Sequence, residues 1–428
     1  MKIEKLKIIR KYSLIKKYGE SIVSKVVYNF LFFDKTYRDM DAYILNLDSS
    51  KTNGYESMGI VRHYGLNANH KNIFGKYRID KAIDILKKNG INEYKEIIDI
   101  LIFYKKVKIN EFREFCIQNG FYYDENLIRR FVLSLETKPF LLLTGISGSG
   151  KTKIAELWSE YEKSIYQNDK KRSLHISVGS NWNDNKKLLG FKNILLNSTE
   201  DSYNPTELVN FIKEANENEY NDYIVILDEM NLSHVERYFA DFLSALESRL
   251  KEIKLPNGET IKWSENLKII GTVNVDETTY MFSPKVLDRA NVIEMNGKKP
   301  SEYINSIKDS SEKVYKDIKD KSWFLEYIEN LDKIYEAVNH DFGFRVIDEV
   351  SEYIKINTEL FDNDKFEEYF DEQVCQKILP KLHGSKAVLK PKLDSLQSIF
   401  NDKESYKLTN SKLEEMQNSV KKGYASFI

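Results

Sequence analysis

The residues with the clearest chemistry form a glycine-rich segment, GISGSGKT, which begins at Gly145 and ends at Thr152. The segment matches the pattern G-x-x-x-x-G-K-[ST], with an apolar run (FLLLT) before it and a helix-like run (KIAELWSEY) after it. In a strand, loop and helix of this kind, backbone N–H groups and the positive end of the helix bind phosphate oxygens. We therefore predict a phosphate-binding loop that consists of Gly145, Ser147, Gly148, Ser149, Gly150, Lys151 and Thr152.

Two side chains of this loop have more specific expected roles. Lys151 is expected to reach the β- and γ-phosphates of a nucleotide, and Thr152 is expected to ligate Mg²⁺. A second element, YIVILDE, is an apolar strand that ends in Asp228 and Glu229, and Asp228 lies 77 residues after Lys151. We predict that Asp228 holds Mg²⁺ through water and that Glu229 activates the attacking water.

A third element, NLKIIGTVN, is another apolar strand and ends at Asn274. Ligands bind at the carboxyl ends of strands in an open parallel sheet, so Asn274 is expected to hydrogen-bond the water that Glu229 activates. The segment just before this strand, IKLPNGETIKW, contains Asn257-Gly258 between two alternating stretches and predicts a β-hairpin.

The elements that must hold these residues indicate an α/β fold with a central parallel sheet. The run FLLLTG is continuously apolar, which is typical of a strand buried on both faces. Residues 124–135 predict a helix with an acidic start, residues 300–428 are rich in helical patterns, and residues 1–120 predict short helices with a few strands. The expected domains are residues 1–120, residues 121–298 and residues 299–428, the last of them helical.

Taken in order, the motifs resemble the AAA+ family of ring-forming NTPases. Within that family they are most similar to the branch that contains McrB, the motor of modified-cytosine restriction systems. The resemblance covers about residues 122–390 and is carried by GISGSGKT, SVGSNWNDNKKLLGF, VILDEMNLSHVERYFADFLSALESR, GTVNVDETTYMFSPKVLDRANVIEM, FGFRVIDEVSEYI and KILPKLHGS.

The resemblance implies an AAA+ P-loop core, a helical lid and a ring, a hexamer or similar. It also implies that Arg289 completes the neighbouring protomer's site and that Arg345 contacts the γ-phosphate; a local ion pair is the other interpretation of Arg289. The chain reads GTVNVDE and LDR where McrB-type proteins usually read GTMNTAD and LRRRF. These differences leave open which arginine acts in trans and which nucleotide is hydrolysed; ATP is favoured and GTP is the alternative.

The charge of the chain is unevenly distributed. Residues 1–137 contain 25 Lys and Arg against 17 Asp and Glu, a net charge of +8, whereas the remainder has 40 against 49, a net charge of −9. A basic N-terminal domain predicts an anionic partner such as DNA; the other interpretation is a domain that is merely lysine-rich. No PD-x-D/E-x-K pattern lies on a suitable strand hairpin, so DNA cleavage is expected from a separate nuclease subunit of a restriction or antiviral defence system.

The composition excludes several other classes of protein. Two cysteines far apart in sequence exclude a disulfide framework and a cysteine zinc site, and no apolar run approaches the ~20 residues of a membrane helix. We expect a cytoplasmic protein with no export signal and no membrane partner. Two other functions stay open: an AAA+ remodeller of protein clients, and a nucleotide-gated scaffold or sensor with little turnover.

Overall fold

The computed structural model of the protein describes residues 13–48, 50–75, 79–166, 172–192, 203–218, 222–275, 280–310, 313–340, 342–361, 365–402 and 404–427. The first twelve residues of the predicted N-terminal domain and residues 276–279 of the segment GTVNVDETTYMF lie outside these ranges. The chain divides into two units, of which the first comprises residues 1–112, 189–223 and 248–268 and the second comprises the rest. The predicted division at residues 120 and 298 stays a prediction.

The regular elements are numbered in chain order. The helices are α1 (Ser13–Phe32), α2 (Tyr37–Tyr43), α3 (Tyr55–His63), α4 (Ile79–Gly90), α5 (Lys95–Gln118), α6 (Glu125–Thr137), α7 (Lys151–Tyr166), α8 (Lys186–Leu189), α9 (Glu207–Glu217), α10 (Val235–Tyr238), α11 (Ala240–Glu247), α12 (Pro284–Arg289), α13 (Pro300–Ile307), α14 (Tyr315–Ile318), α15 (Phe324–Ala337), α16 (Phe344–Leu360), α17 (Phe366–Gln373), α18 (Lys386–Ile399) and α19 (Lys407–Val420). The strands are β1 (Phe140–Gly145), β2 (Ser173–Ser177), β3 (Phe191–Lys192), β4 (Tyr203–Asn204), β5 (Tyr223–Asp228), β6 (Glu252–Lys254), β7 (Thr260–Lys262), β8 (Leu267–Asn274), β9 (Asn291–Glu294), β10 (Gly384–Ser385) and β11 (Tyr424–Ala425).

In the first unit, helices α1 to α4 and most of α5 bury apolar residues against one another. Val26, Phe74 and Leu101 are fully buried there, and the rings of Tyr28 and Tyr104 stack with their centroids 4.2 Å apart. Every regular element in the described part of residues 1–120 is helical, so the few strands expected there are absent from that part. Apolar side chains spaced at the helical period already bury one face of each helix, which leaves no need for a sheet.

The hairpin predicted from Asn257-Gly258 is confirmed and belongs to the same unit. Strands β6 and β7 pair antiparallel with Ile253 opposite Ile261. Gly258 has φ of +91° at the turn, a conformation that glycine adopts without the steric cost of a Cβ atom.

The second unit contains the predicted central sheet. Its five strands lie in the order β2-β5-β8-β1-β9, and β1 pairs parallel with both β8 and β9, as β2 does with β5. Strands β1, β5 and β8 are buried along nearly their whole length. Because β8 lies between β1 and β5, the carboxyl ends of these three strands meet at one edge of the sheet, where the predicted chemistry lies.

The C-terminal helices of this unit share a core of their own. Its fully buried residues include Tyr303, Tyr315, Leu331, Val350 and Phe370.

Helix α6 begins as predicted, because the side chain of Asp124 accepts a hydrogen bond from the backbone N–H of Leu127 and so caps its first turn. In the described ranges we find no helix with the length and apolar character that crossing a membrane requires.

Candidate functional site

The phosphate-binding loop connects β1 to α7. All three of its glycines have a positive φ, which is +150° at Gly145, +78° at Gly148 and +87° at Gly150. A Cβ atom on Gly150 would lie 2.7 Å from the hydroxyl oxygen of Tyr123, and that hydroxyl donates a hydrogen bond of 2.9 Å to the Gly150 carbonyl. Tyr123 therefore fixes the end of the loop from which α7 starts, and both its position and the loop conformation require glycine.

Lys151 is the first residue of α7 and is only 5% exposed. Its ammonium group donates hydrogen bonds to the carbonyls of Gly145, at 2.9 Å, and Ile146, at 2.7 Å. These contacts hold a positive charge beside the loop, where phosphate oxygens would bind.

Thr152 and Asp228, the two expected Mg²⁺ ligands, are in direct contact. The Thr152 hydroxyl donates to Oδ1 of Asp228 over 2.7 Å, and the hydroxyl of Thr272, on β8, donates to the same oxygen over 2.6 Å. The other carboxylate oxygen, Oδ2, lies 3.5 Å from Nε2 of His175 on β2. Burial on its own would raise the pKa of Asp228, but the hydrogen bonds from Thr272 and Thr152 and the neighbouring His175 outweigh it and lower the pKa below its usual value.

Glu229 follows Asp228 at the point where the chain leaves β5. Its backbone is left-handed, with φ of 52° and ψ of 47°, which costs a non-glycine residue about 1 to 2 kcal/mol. Its Oε1 atom accepts a hydrogen bond of 3.1 Å from the side-chain amide of Asn274. Asn274 lies opposite Gly145 in the register of β8 against β1, so one amide lies next to both the phosphate loop and the carboxylate.

A cavity of about 440 Å³ joins these side chains. The predicted residues that line it are Ser147, Gly148, Gly150, Lys151, Thr152, Asp228, Glu229, Asn274 and Arg345. Arg345 lies in the first turn of α16, where its backbone N–H is 3.4 Å from the Gly148 carbonyl and its side chain is exposed. Residues from the loop, helix α7, the ends of strands β5 and β8 and the distant helix α16 thus surround a single space.

Arg289 does not line this cavity. Its guanidinium donates to the carbonyls of Leu243, at 3.1 Å, and Lys285, at 2.7 Å, and it forms an ion pair with Glu247. The side chain is 12% exposed and lies against the last turn of α11, a favourable place for a cation because helix carbonyls point that way. The local ion pair left open by the sequence is therefore present, with Glu247 as its partner.

One part of the cavity lining was not found from the sequence. It includes Phe121 and Asp348. Asp348 accepts hydrogen bonds from the hydroxyls of Tyr303, at 3.1 Å, and Tyr315, at 2.8 Å, and from the ammonium group of Lys313, at 2.5 Å. The same Lys313 ammonium lies 4.6 Å from the centre of the Phe121 ring. A charged network therefore holds an aromatic ring at the edge of the cavity.

Three further residues near the carboxylates were also missed. They are His175, Thr272 and Asn231, whose side-chain amide donates to the Asn274 carbonyl over 2.7 Å. For Thr272 a signal existed, because residues two apart on a strand face the same side and Thr272 is two residues before Asn274. His175 and Asn231 reach the site through contacts that no local pattern predicts.

One family profile, described as Domain of unknown function (DUF8727), matches residues 294–424, the C-terminal helical part. No curated protein matches the chain. Among solved structures, the chain is similar to a closed-state cryo-electron-microscopy reconstruction of Hsp104 with ATPγS and FITC casein, with 14% sequence identity and a TM-score of 0.41. The alignment covers 69% of this chain and 58% of the neighbour, so the chain spans less than two thirds of that protein.

Proposed function

We propose that this chain is a Mg²⁺-dependent nucleoside triphosphatase of the AAA+ class. The observation that carries the proposal is that Lys151, Asp228 and Glu229 line one cavity, although Lys151 lies 77 residues before Asp228 in the sequence. A glycine loop with a lysine, a strand-end aspartate and a catalytic glutamate are the parts that phosphoryl transfer to water requires. These side chains lie at the carboxyl ends of parallel strands, which is the edge at which open α/β sheets bind ligands.

In this proposal the side chains act by positioning and by charge. The loop N–H groups and Lys151 bind the β- and γ-phosphates and stabilise the charge that develops on them. The carboxylate of Glu229 orients the attacking water and accepts its proton. Asn274 occupies one oxygen of Glu229 and so leaves the other free to face that water. Arg345, at the start of α16, contacts the γ-phosphate from the lid side.

The donor set fits Mg²⁺. Thr152 and Asp228 supply oxygen ligands within 2.7 Å of each other, and the lowered pKa keeps Asp228 ionised at neutral pH. Mg²⁺ in nucleotide sites is usually held by one or two protein oxygens together with substrate phosphates and waters. Among the described residues no group of three or more His, Cys, Asp and Glu could hold a metal without such phosphates. The bound ion would neutralise phosphate charge.

The nucleotide base is proposed to lie against Phe121. That ring lines the cavity, and Lys313 lies against it. Base stacking on an aromatic ring accepts either purine, so this wall supports ATP and GTP alike. We propose ATP as the preferred substrate and GTP as the alternative. A comparison of the hydrolysis rates of the two nucleotides decides between them.

The wider role that we propose is that of a McrB-like motor in a restriction or defence system. Two features of the sequence support this role. One is the order of the motifs, and the other is the net charge of +8 on residues 1–137, which contain 25 Lys and Arg and 17 Asp and Glu. In this proposal the chain forms a ring in which Arg289 exchanges Glu247 for the neighbour's nucleotide. The N-terminal domain binds DNA, and a separate nuclease subunit cleaves it.

The experiment is a phosphate-release assay with ATP and with GTP, each with Mg²⁺, and each with unmodified DNA, methylated DNA or unfolded casein. The motor proposal predicts turnover that DNA raises and casein does not. Stimulation by casein alone would favour a protein remodeller, and tight binding without turnover would favour a nucleotide-gated scaffold. Loss of DNA binding as the salt concentration rises from about 50 to 200 mM would support the assignment of the basic N-terminal domain as the DNA-binding domain.

A further inference from the structure

Thr272 contacts both Asp228 and Glu229 through one oxygen atom. Its hydroxyl donates to Oδ1 of Asp228 over 2.6 Å and accepts from the backbone N–H of Glu229 over 3.0 Å. A threonine hydroxyl has a single proton and an ionised carboxylate can only accept, so the direction of both bonds is fixed. Thr272 is 2% exposed, so it has almost no surface with which to contact a nucleotide itself.

The bond to Glu229 supports an unusual backbone conformation. Strand β5 ends at Asp228, and Glu229 turns the chain out of the strand in the left-handed region, with φ of 52°. Its N–H therefore leaves the sheet, and the Thr272 oxygen provides its partner. The same turn lets the Glu229 carboxylate reach the amide of Asn274, two residues after Thr272 on β8.

We infer that Thr272 is a positioning residue for the hydrolysis step, an inference that rests on the proposed nucleoside triphosphatase function. It fixes the oxygen of Asp228 that Thr152 also contacts, and it fixes the backbone from which Glu229 extends. The metal-binding and the water-activating carboxylates are thereby held at one distance from each other. Displacements of about 1 Å at such sites cost on the order of 100-fold in rate.

The test compares Thr272→Val, which keeps the shape and loses the hydroxyl, with Thr272→Ser, which keeps the hydroxyl. For Thr272→Val we expect kcat to fall on the order of 10- to 100-fold, as for partners of metal ligands, and the Mg²⁺ concentration for half-maximal rate to rise. The KM for nucleotide should stay within about 3-fold of wild type because the phosphate loop is untouched, and Thr272→Ser should recover most of kcat.

A matched control separates positioning from stability. Thr409 is also fully buried, and its hydroxyl donates to the Asp371 carbonyl in the C-terminal helices, outside the cavity. Thr409→Val should lower the melting temperature and leave kcat and the Mg²⁺ dependence unchanged. If Thr272→Val fails to fold, Thr272→Ala and Thr272→Ser form a second pair, because both lose the methyl group and only one keeps the hydroxyl.

The two proposals fail in different ways. If wild type hydrolyses nucleotide and a folded Thr272→Val has the same kcat and Mg²⁺ dependence, the role of Thr272 is overturned and the function stands. Equal loss of kcat in the serine and valine variants, or in the alanine and serine pair, would also overturn it, because the hydroxyl would then not matter. If wild type hydrolyses neither ATP nor GTP, the proposed function fails, and the positioning role fails with it.

Discussion

The side-chain amide of Asn274 donates a hydrogen bond of 3.1 Å to Oε1 of Glu229, across the ends of two neighbouring strands. A carboxylate with one oxygen held by a hydrogen bond has little freedom to rotate. The second oxygen of Glu229 therefore has a defined direction. This pair therefore links the geometry of the sheet to the chemistry of the cavity.

Removal of the Asn274 amide should release Glu229. We expect Asn274→Ala to lower kcat on the order of 10- to 100-fold with little change in KM, because the amide acts on the orientation of Glu229 and not on phosphate binding. Steady-state phosphate release measures both constants. Asn291→Ala is the matched control, since that amide donates to the Ser134 carbonyl and the Thr137 hydroxyl, outside the cavity. A loss of nucleotide affinity in Asn274→Ala with unchanged kcat would contradict this role.

Lys151 should determine nucleotide binding. Lys151→Ala removes the buried ammonium beside the phosphate loop, and we expect the affinity for a fluorescent ATP or GTP analogue to fall by at least about 10-fold, because charge-assisted bonds to phosphate are strong. Fluorescence anisotropy checks this directly. Lys163→Ala, on the exposed last turn of the same helix, is the control and should bind as wild type does. Unchanged nucleotide affinity in Lys151→Ala would show that the phosphates do not bind at this loop.

Arg289 should show two separable effects. Within one chain it bonds the end of α11, so Arg289→Ala should lower the unfolding free energy by about 1 to 2 kcal/mol, as for lost bonds to a charged group. If it also acts in trans, a mixture of Arg289→Ala and Glu229→Gln protomers should hydrolyse faster than either variant alone. In such a mixture, sites with an intact Glu229 meet neighbours with an intact Arg289. A mixture no more active than its parts would restrict Arg289 to the ion pair.

Acid should weaken the attachment of α12. Glu236 accepts a hydrogen bond of 2.9 Å from the backbone N–H of Ser283, the residue that precedes this helix. Burial alone would raise the pKa of Glu236, but the hydrogen bonds from Ser283 outweigh it and lower the pKa below its usual value. A lowered pKa contributes stability above the unfolded value of ~4.3, and that contribution is lost as the pH falls through the folded value.

Urea unfolding at pH 7 and at pH 3.5 tests this contribution. Glu236→Gln should be less stable than wild type at pH 7, and the difference should shrink at pH 3.5, which lies below the unfolded pKa, so that part of the contribution is already lost. Glu329→Gln removes an exposed carboxylate on α15 and serves as the control, with little effect at either pH. A difference between Glu236→Gln and wild type that grows on acidification would contradict the assigned direction.

The sequence predicted the parts of the site that a single element determines. The phosphate loop, the strands that end at Asp228 and Asn274, and the hairpin at Asn257-Gly258 all have local patterns, because turn chemistry and apolar runs are properties of neighbouring residues. Parallel strands end at one edge, so the meeting of Asp228 and Asn274 with the loop could also be expected.

Contacts between distant segments could not be predicted in this way. The ion pair of Arg289 joins residues 42 apart, and the hydrogen bond between Thr272 and Asp228 joins residues 44 apart. Such contacts depend on which helix or strand packs against which. The spacing of Thr272 and Asn274 indicates that they share a face of β8 but not which residue Thr272 contacts, and nothing near Glu247 in the sequence indicates Arg289 as its partner. The network around Asp348 was missed for the same reason, since its partners, Tyr303 in one segment and Lys313 and Tyr315 in another, lie 33 to 45 residues before it.

The central claim is that Glu229 activates water for hydrolysis of a nucleotide bound at the GISGSGKT loop. The most direct measurement is phosphate release from ATP and GTP with Mg²⁺ by wild type and by Glu229→Gln, with binding of the same nucleotide measured in parallel. We predict turnover by wild type that EDTA abolishes, and normal binding by Glu229→Gln with kcat reduced on the order of 100-fold or more. Hydrolysis by Glu229→Gln at the wild-type rate, or no turnover of either nucleotide by wild type, would contradict the claim.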